Sequence, residues 1–151
     1  MSRNKGQKGF SLIELLIVVA IIGIIAAIAI PNLLSSRKAS NEASAIGSMR
    51  TINTAQSNYL SAVGNNTSYA DTLAKLEAAK LIDKALADAT ATTSPKSGYY
   101  FTLAQTATSD YTLNGDPASS STGTRHFFSN ETGVIRAAAD APATADDGPI
   151  Q

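Results

Sequence analysis

The distribution of apolar residues separates a short N-terminal stretch from a long, mixed remainder. Leu15 to Ser36 is a run of 22 residues without a charged side chain. As a helix, a run of that length would reach about 33 Å, and the hydrocarbon core of a bilayer is about 30 Å thick. The pattern therefore predicts a membrane-spanning helix close to the start of the chain.

The helical pattern continues beyond the apolar run. Residues 35–38 are polar but contain no helix breaker, so one helix is predicted from about Ser11 to Val63, apolar all round in its first half and amphipathic in its second. Gly64 is expected to end it in the left-handed conformation. The apolar positions of the second half recur at helical spacing, at Ala45 or Ile46, Met49, Ile52, Tyr59 or Leu60, and Val63. The polar residues Glu42, Asn53 and Gln56 fall on or near that apolar side.

The remainder of the chain predicts short helices and then strands. Residues 68–89 show weaker helical spacing, which fits one broken helix or two short ones with Thr67 or Ser68 as the cap. A loop is expected over 89–96. Strands are expected at 99–103, 111–113, 125–128 and 134–136, with residues 114–117 closing the second strand, residues 129–133 forming a hairpin turn and residues 137–151 irregular.

These elements predict an α+β fold. The long N-terminal helix would pack its amphipathic half on a small antiparallel sheet of about four strands, because such a sheet has one face available to cover a helix. Cysteine is absent, so neither disulfides nor thiolate metal sites contribute. The soluble part must be held together by burial and hydrogen bonds.

Charge orients the apolar segment. Residues 1–9 contain Arg3, Lys5 and Lys8 and no acid, while the other 142 residues contain 9 Lys and Arg against 12 Asp and Glu. A basic leader is retained on the cytoplasmic side while the rest crosses the membrane. A secretory signal peptide is the alternative, since Ala27-Ile28-Ala29 resembles its cleavage site, although the apolar run continues past it.

Glu14 is a charged residue at the start of the apolar segment, where a charge disfavours membrane insertion. A carboxylate near the start of an apolar helix either extends to the membrane interface or has a partner. If the chain were cut after Gly9, the new amine of Phe10 would lie about one helical turn away and could pair with a carboxylate. Gly23 and Pro31 likewise leave two interpretations open, a mildly kinked membrane helix or a segment built to loosen.

Signals for catalysis, cofactors and nucleic acid are weak. His126 is the only histidine, and it is interpreted as a strand residue rather than a general base. No phosphate-binding loop, nucleophile motif or His-containing metal cluster occurs. Asp146 and Asp147 with Asn114 or Asp116 have no spacing typical of a calcium loop. We therefore predict no enzyme, no cofactor and no metal site, and no nucleic acid as the primary partner.

The N-terminal residues resemble the type III signal of type IV prepilins. The resemblance begins at Lys8-Gly9-Phe10-Ser11-Leu12-Ile13-Glu14-Leu15, continues from Ile21 through Pro31 into Asn32-Leu33-Leu34, and covers roughly the first 60 residues. More loosely, residues 98–101 and 127–136 are similar to the sheet of cysteine-free type IVa pilins. The disulfide-closed loop of the better-known pilins has no counterpart here.

The resemblance implies how the chain would be processed and assembled. Prepilin peptidase would cut between Gly9 and Phe10 and methylate the amine of Phe10. Glu14 would pair with the N-terminus of an adjacent subunit, and the segment from Gly23 to Pro31 would lose helicity in the filament. A cytoplasmic ATPase and an inner-membrane platform protein would assemble the homopolymer, moving the subunit from the inner membrane to an extracellular pilus.

The expected organisation has three parts: a leader over residues 1–9, a transmembrane and assembly helix over 10–34, and a soluble headgroup over 35–151. The favoured function is a structural pilus subunit. The alternative is a pseudopilin of a type II secretion system, and a solitary membrane-anchored binding protein would explain neither the Gly9-Phe10 junction nor Glu14. Whether the fibre serves twitching, adhesion, DNA uptake or electron transfer is left open.

Overall fold

The structure is a computed structural model that describes residues 9–150. The chain divides into two compact units, with the boundary between Ser36 and Arg37. Helix α1, Leu12–Ala62, begins in the first unit and ends in the second. The predicted limits of this helix, Ser11 and Val63, are confirmed to within one residue.

The second unit contains two short helices and one sheet. The helices are α2, Leu73–Ala78, and α3, Lys84–Ala87. The strands are β1, Tyr99–Ala107, β2, Asp110–Pro117, β3, Arg125–Asn130, and β4, Arg136–Ala139. The strands lie in chain order and every neighbouring pair is antiparallel. The α+β prediction is therefore confirmed.

The core lies between the second half of α1 and one face of the sheet. Met49 and Ile52 of α1 are fully buried, as are Phe101, Leu113 and Phe127 of the first three strands. Alternation along β2 places every second side chain in this core. Burying these side chains stabilises the unit by roughly 1.5–3 kcal/mol each.

Buried polar side chains connect α1 to the rest of the unit. Gln56 is fully buried and Glu42 is 7% exposed. Asn53 accepts a hydrogen bond from the Tyr111 hydroxyl at 3.0 Å and donates one to Ser129 Oγ at 2.9 Å. These residues interrupt the apolar pattern of α1 because each satisfies a polar group of another element, as buried polar groups require.

The ends of the helices differ from the predictions. Val63 is half-exposed and outside the core. Gly64 is not left-handed; Asn65 and Asn66 have the positive φ values, 52° and 57°. A Cβ at Gly64 would lie 2.0 Å from the carbonyl oxygen of Ser68, so close approach of the chain is what requires glycine there. The caps predicted at Thr67 and Ser68 are wrong, because α2 and α3 begin after Thr72 and Asp83.

The strands are longer than predicted, and one turn was misassigned. Residues 114–117 do not close β2, because Gly115 pairs with Phe101 on one side and Phe127 on the other. Pairing on both sides satisfies the backbone and overrides the local turn signal. The fourth strand lies two residues later than expected, at Arg136–Ala139.

The end of the chain is also less irregular than predicted. The Ile150 N–H donates to the carbonyl of Ile135 at 3.0 Å, and the Ala137 N–H donates to that of Gly148 at 3.1 Å. These bonds cover the outer edge of β4. An unpaired strand edge is a site for unwanted pairing with other chains, so the segment protects the sheet.

Candidate processing and assembly site

Gly9 and Phe10 lie outside the helix and are accessible. Both are non-helical, and Phe10 is 89% exposed. A Cβ built on Gly9 would meet no described atom within 4 Å, so the described part of the fold does not require glycine at this position. The rest of the predicted leader, residues 1–8, lies outside the described residues.

The first turn of α1 is held by Glu14. Its Oε2 accepts a hydrogen bond from the Ser11 N–H at 2.9 Å. This is the carboxylate half of a capping box, in which a glutamate three residues after a serine satisfies one of the unpaired N–H groups at a helix start. The Ser-x-x-Glu signal for this cap is present in the sequence, and the cap was not among the predictions made from it.

The capping contact gives Glu14 a local role besides the predicted pairing. A negative group in the first turn is also favoured by the helix dipole. By capping at Ser11 it helps α1 to begin at Leu12, which leaves the peptide bond between Gly9 and Phe10 non-helical. A substitution at position 14 therefore changes both the helix start and the charge, and these effects must be separated experimentally.

The first part of α1 has an apolar surface on all sides. Its large apolar side chains are between 42% and 81% exposed from Leu12 to Leu34. The helix is long enough and apolar enough to cross a membrane, although length and composition alone do not distinguish a span from a signal sequence. Burying such a surface requires lipid or other apolar helices.

Gly23 and Pro31 both lie within the continuous helix. Pro31 has no N–H to donate to the preceding turn, and the side chain of Asn32 donates to the carbonyl of Ile28 at 3.1 Å. A Cβ at Gly23 would meet no described atom within 4 Å. The loss of helicity between these residues, which was expected for the filament, stays a prediction.

The residues that were considered for catalysis or calcium binding make hydrogen bonds within the second unit. His126 Nδ1 lies 2.6 Å from Asp116 Oδ1 on the neighbouring strand, and Asn114 donates to the carbonyl of Ala143 at 3.3 Å. Among residues 9–150, no three His, Asp or Glu side chains come together in a way that could hold a metal ion. Asp147 instead accepts hydrogen bonds from Thr144.

An exposed N-terminal junction, a capped apolar helix and an α+β unit together fit a protein anchored in a membrane through one N-terminal helix. The profile of the prokaryotic N-terminal methylation motif matches residues 4–30. That match includes the predicted leader from residue 4, the Gly9-Phe10 junction, Glu14 and Gly23.

Proteins that are similar to this chain are described as pilin or fimbrial proteins. The type IV major pilin protein PilA of Myxococcus xanthus is 48% identical over 58 residues, 38% of this chain and 26% of the relative. The type IV wide pilus major component PilA4 of Thermus thermophilus is 63% identical over 38 residues, 25% of this chain and 29% of the relative. A fimbrial protein of Pseudomonas aeruginosa is 82% identical over 28 residues, 18% of each chain.

The chain thus matches less than a third of the length of these relatives, and no solved structure matches it. The chain resembles type IV pilins over part of its length, and its α+β fold is consistent with that resemblance. The relatives are described as major pilins and fimbrial proteins, so the pseudopilin alternative is not favoured.

Proposed function

We propose that this chain is a non-enzymatic structural subunit of a type IV pilus, made as a single-span precursor and polymerised through α1. The observation that carries the proposal is the accessible Gly9-Phe10 junction directly before a Glu14-capped apolar helix. Its match to the N-terminal methylation motif supports the same function. A repeated heterologous contact whose rotation does not close produces a helical fibre.

Processing would occur at the exposed junction. Prepilin peptidase would cut between Gly9 and Phe10 and methylate the new amine; Gly9 offers no side chain to obstruct an extended backbone in a protease cleft. Mass spectrometry of sheared filaments should show a chain that begins at Phe10 and carries one added methyl group on its amine. A mature chain that begins at Ile30 would instead establish secretory signal cleavage and contradict the proposal.

Assembly would move α1 from lipid into a bundle of neighbouring helices. Before assembly the precursor spans the inner membrane with its N-terminus cytoplasmic, and afterwards the subunit belongs to an extracellular pilus. A platform protein and an ATPase would drive this transfer, with the segment from Gly23 to Pro31 loosening as it occurs. Glu14 would then pair with the methylated amine of Phe10 in the adjacent subunit.

Three variants at position 14 separate charge from capping. Glu14→Ala removes both, whereas Glu14→Gln removes the charge and keeps a side chain that can still cap Ser11. We expect both to insert normally, because loss of an acid makes the span more apolar. We expect both to lose most of the surface filament, since breaking a buried pair costs roughly 3–5 kcal/mol. Glu14→Asp keeps the charge with a shorter reach and should be intermediate.

The measurement is sheared filament relative to the membrane pool, by immunoblot. If Glu14→Gln assembles normally and only Glu14→Ala fails, the helix cap is what assembly needs, and the pairing mechanism is wrong. If both variants assemble normally, Glu14 is an acid that extends to the interface without a partner. The unmodified chain must form filaments in the same cells, and its failure to do so would contradict the proposed function itself.

A further inference from the structure

A polar groove lies beside α1 within the second unit. It has a volume of about 350 Å³. Helix α1 contributes Lys38 to it, and the other wall includes His126 of β3 and Asp140, which follows β4. Ser119 and Ser120, from the loop between β2 and β3, also line the groove. The groove therefore combines hydroxyl groups with charged side chains.

This groove lies close to the end of the uncharged run. Lys38 follows Ser36, the last residue of that run, by two positions within the continuous helix. At 1.5 Å per residue, Lys38 is about 3 Å further along α1. The polar layer on each side of a bilayer is roughly 5–8 Å thick, because the whole bilayer measures about 40–45 Å and its hydrocarbon core about 30 Å. A span that ends at Ser36 would therefore bring Lys38 to the level of the lipid headgroups.

The groove contains a cation and an anion that do not pair with each other. Lys38 is half-buried and Asp140 is exposed, and neither belongs to any of the ion pairs found among residues 9–150. His126 is already held by Asp116, whose Oδ1 lies 2.6 Å from its Nδ1. The groove therefore offers separate positive and negative groups to a ligand that carries both charges.

This arrangement suits a phosphate group that is joined to a protonated amine. A lysine ammonium binds phosphate oxygens through charge-assisted hydrogen bonds, and a carboxylate accepts such bonds from an amine. Serine hydroxyls can donate to the remaining phosphate oxygens. Phosphatidylethanolamine carries both charged groups in one headgroup. Phosphatidylglycerol lacks the amine, and the quaternary amine of phosphatidylcholine has no N–H to donate.

We propose that this groove binds the headgroup of phosphatidylethanolamine while α1 spans the membrane, with the phosphate on Lys38 and the amine on Asp140. The inference rests on the proposed function, because only a membrane-spanning precursor brings the groove to the lipid. A bound headgroup would fix the depth of the span, since α1 could not slide along its axis without breaking both contacts. Assembly into a filament would then require release of this lipid.

Protection of a cysteine in the groove tests this contact. The sequence contains no cysteine, so a full-length Ser120→Cys chain can be labelled at that position alone by a membrane-impermeant maleimide. Vesicles of phosphatidylcholine are compared with vesicles that contain equal amounts of phosphatidylcholine and phosphatidylethanolamine. Neither lipid carries a net charge, so the concentration of the reagent at the surface is the same. Phosphatidylethanolamine should slow labelling about fivefold, because the bound headgroup covers the cysteine for most of the time.

Matched variants assign the protection to the two charged residues. In the Ser120→Cys chain, Lys38→Gln and Asp140→Asn should each abolish the difference between the two kinds of vesicle. Lys80→Gln changes an exposed lysine that does not line the groove, and it should leave the difference unchanged. A Thr92→Cys chain, labelled at another exposed position, should react equally fast in both kinds of vesicle.

Three results would overturn the inference: equal labelling of Ser120→Cys in both kinds of vesicle, protection that persists in the Lys38 and Asp140 variants, or the same protection from phosphatidylglycerol. The last result would mean that the groove responds to a negatively charged surface and does not recognise the amine. Extraction with alkaline carbonate tests the proposed function separately. A chain that carbonate releases does not span the bilayer and contradicts that function too, whereas a chain that stays in the vesicles without protection contradicts this inference alone.

Discussion

The side-chain amide of Gln56 pairs with the backbone of Ala70 through two reciprocal hydrogen bonds. Gln56 Nε2 donates to the carbonyl of Ala70 at 2.8 Å, and the Ala70 N–H donates to Gln56 Oε1 at 2.9 Å. Both residues are fully buried. The pair holds the segment before α2 against α1, because neither backbone group of Ala70 could reach water if the amide were removed.

The first prediction is that the second unit folds without the apolar segment. A chain that begins at Ser35 retains all of the buried core residues, from Ala45 onward. We expect a monomer that unfolds in one cooperative transition, measured by urea denaturation and analytical ultracentrifugation. Aggregation, or a gradual transition with no baseline, would mean that the core needs residues before Ser35.

The second prediction concerns Gln56 in this shortened chain. Gln56→Ala should lower the free energy of unfolding by roughly 2–6 kcal/mol, because it leaves two buried backbone groups of Ala70 unpaired and each costs about 1–3 kcal/mol. Asn58→Ala, on the exposed face of the same helix, should change it by less than about 0.5 kcal/mol. Equal losses in the two variants would show that the pair with Ala70 is not the cause, since alanine has the higher helix propensity at both positions and the replacement itself favours the helix.

The third prediction follows from the ion pair of Glu42 and Arg125. Glu42 Oε1 also accepts from the Thr124 N–H at 3.0 Å and from the Arg125 N–H at 3.3 Å. Burial alone would raise the pKa of this carboxyl, but these hydrogen bonds and the Arg125 guanidinium outweigh it and lower the pKa. The lowered pKa means that the folded state favours the ionised carboxylate.

The stability that Glu42 contributes should therefore be present in full above its ordinary pKa of about 4.3. It should be lost as the pH falls from there through the lower pKa of the folded state. Urea denaturation of the shortened chain between pH 7 and pH 2.5 measures this loss. Glu42→Gln should be less stable at pH 7 and less sensitive to acid, whereas Glu131→Gln, at an exposed position, should retain the acid sensitivity. An unchanged acid sensitivity in Glu42→Gln would assign the effect to other carboxyls.

Local patterns predicted the long elements and failed where distant residues decide the outcome. The limits of α1 follow from the long apolar run and the helical spacing after it, which no other element opposes. By contrast, the role of Glu42 depends on Thr124, 82 residues away in the sequence. The strand β2 likewise continues through an Asn-Gly-Asp-Pro turn signal, because both of its neighbours in the sheet supply hydrogen-bond partners.

The candidate site also combines features that local sequence can predict with features that depend on other molecules. The cap that Glu14 forms with Ser11 is local, and the Ser-x-x-Glu spacing would have been sufficient to predict it, although no cap was predicted there. The roles expected of Gly9, Phe10 and Glu14 depend on a protease and on a neighbouring subunit, so they were reached through a resemblance.

The last prediction concerns the close contact between Gly123 and Tyr99. A Cβ at Gly123 would lie 2.1 Å from the Tyr99 hydroxyl oxygen and 2.6 Å from Cζ of the ring. Tyr99 is fully buried, and its hydroxyl donates to the carbonyl of Arg125 at 2.8 Å. Its ring lies 5.7 Å from that of Phe127, centre to centre. The rigid ring cannot yield by rotating a terminal group, so the core must shift.

Gly123→Ala should lower the free energy of unfolding of the shortened chain by roughly 1–3 kcal/mol, the usual cost of overpacking a core. Gly148→Ala adds the same methyl group where no described atom lies within 4 Å, and it should be nearly neutral. Adding Tyr99→Phe to Gly123→Ala removes the closest atom and should recover part of the loss, although Tyr99→Phe alone is destabilising because the carbonyl of Arg125 loses its donor. If the two changes add without any recovery, the ring is not what the new methyl group meets, and the backbone around Gly123 must be the origin of the loss.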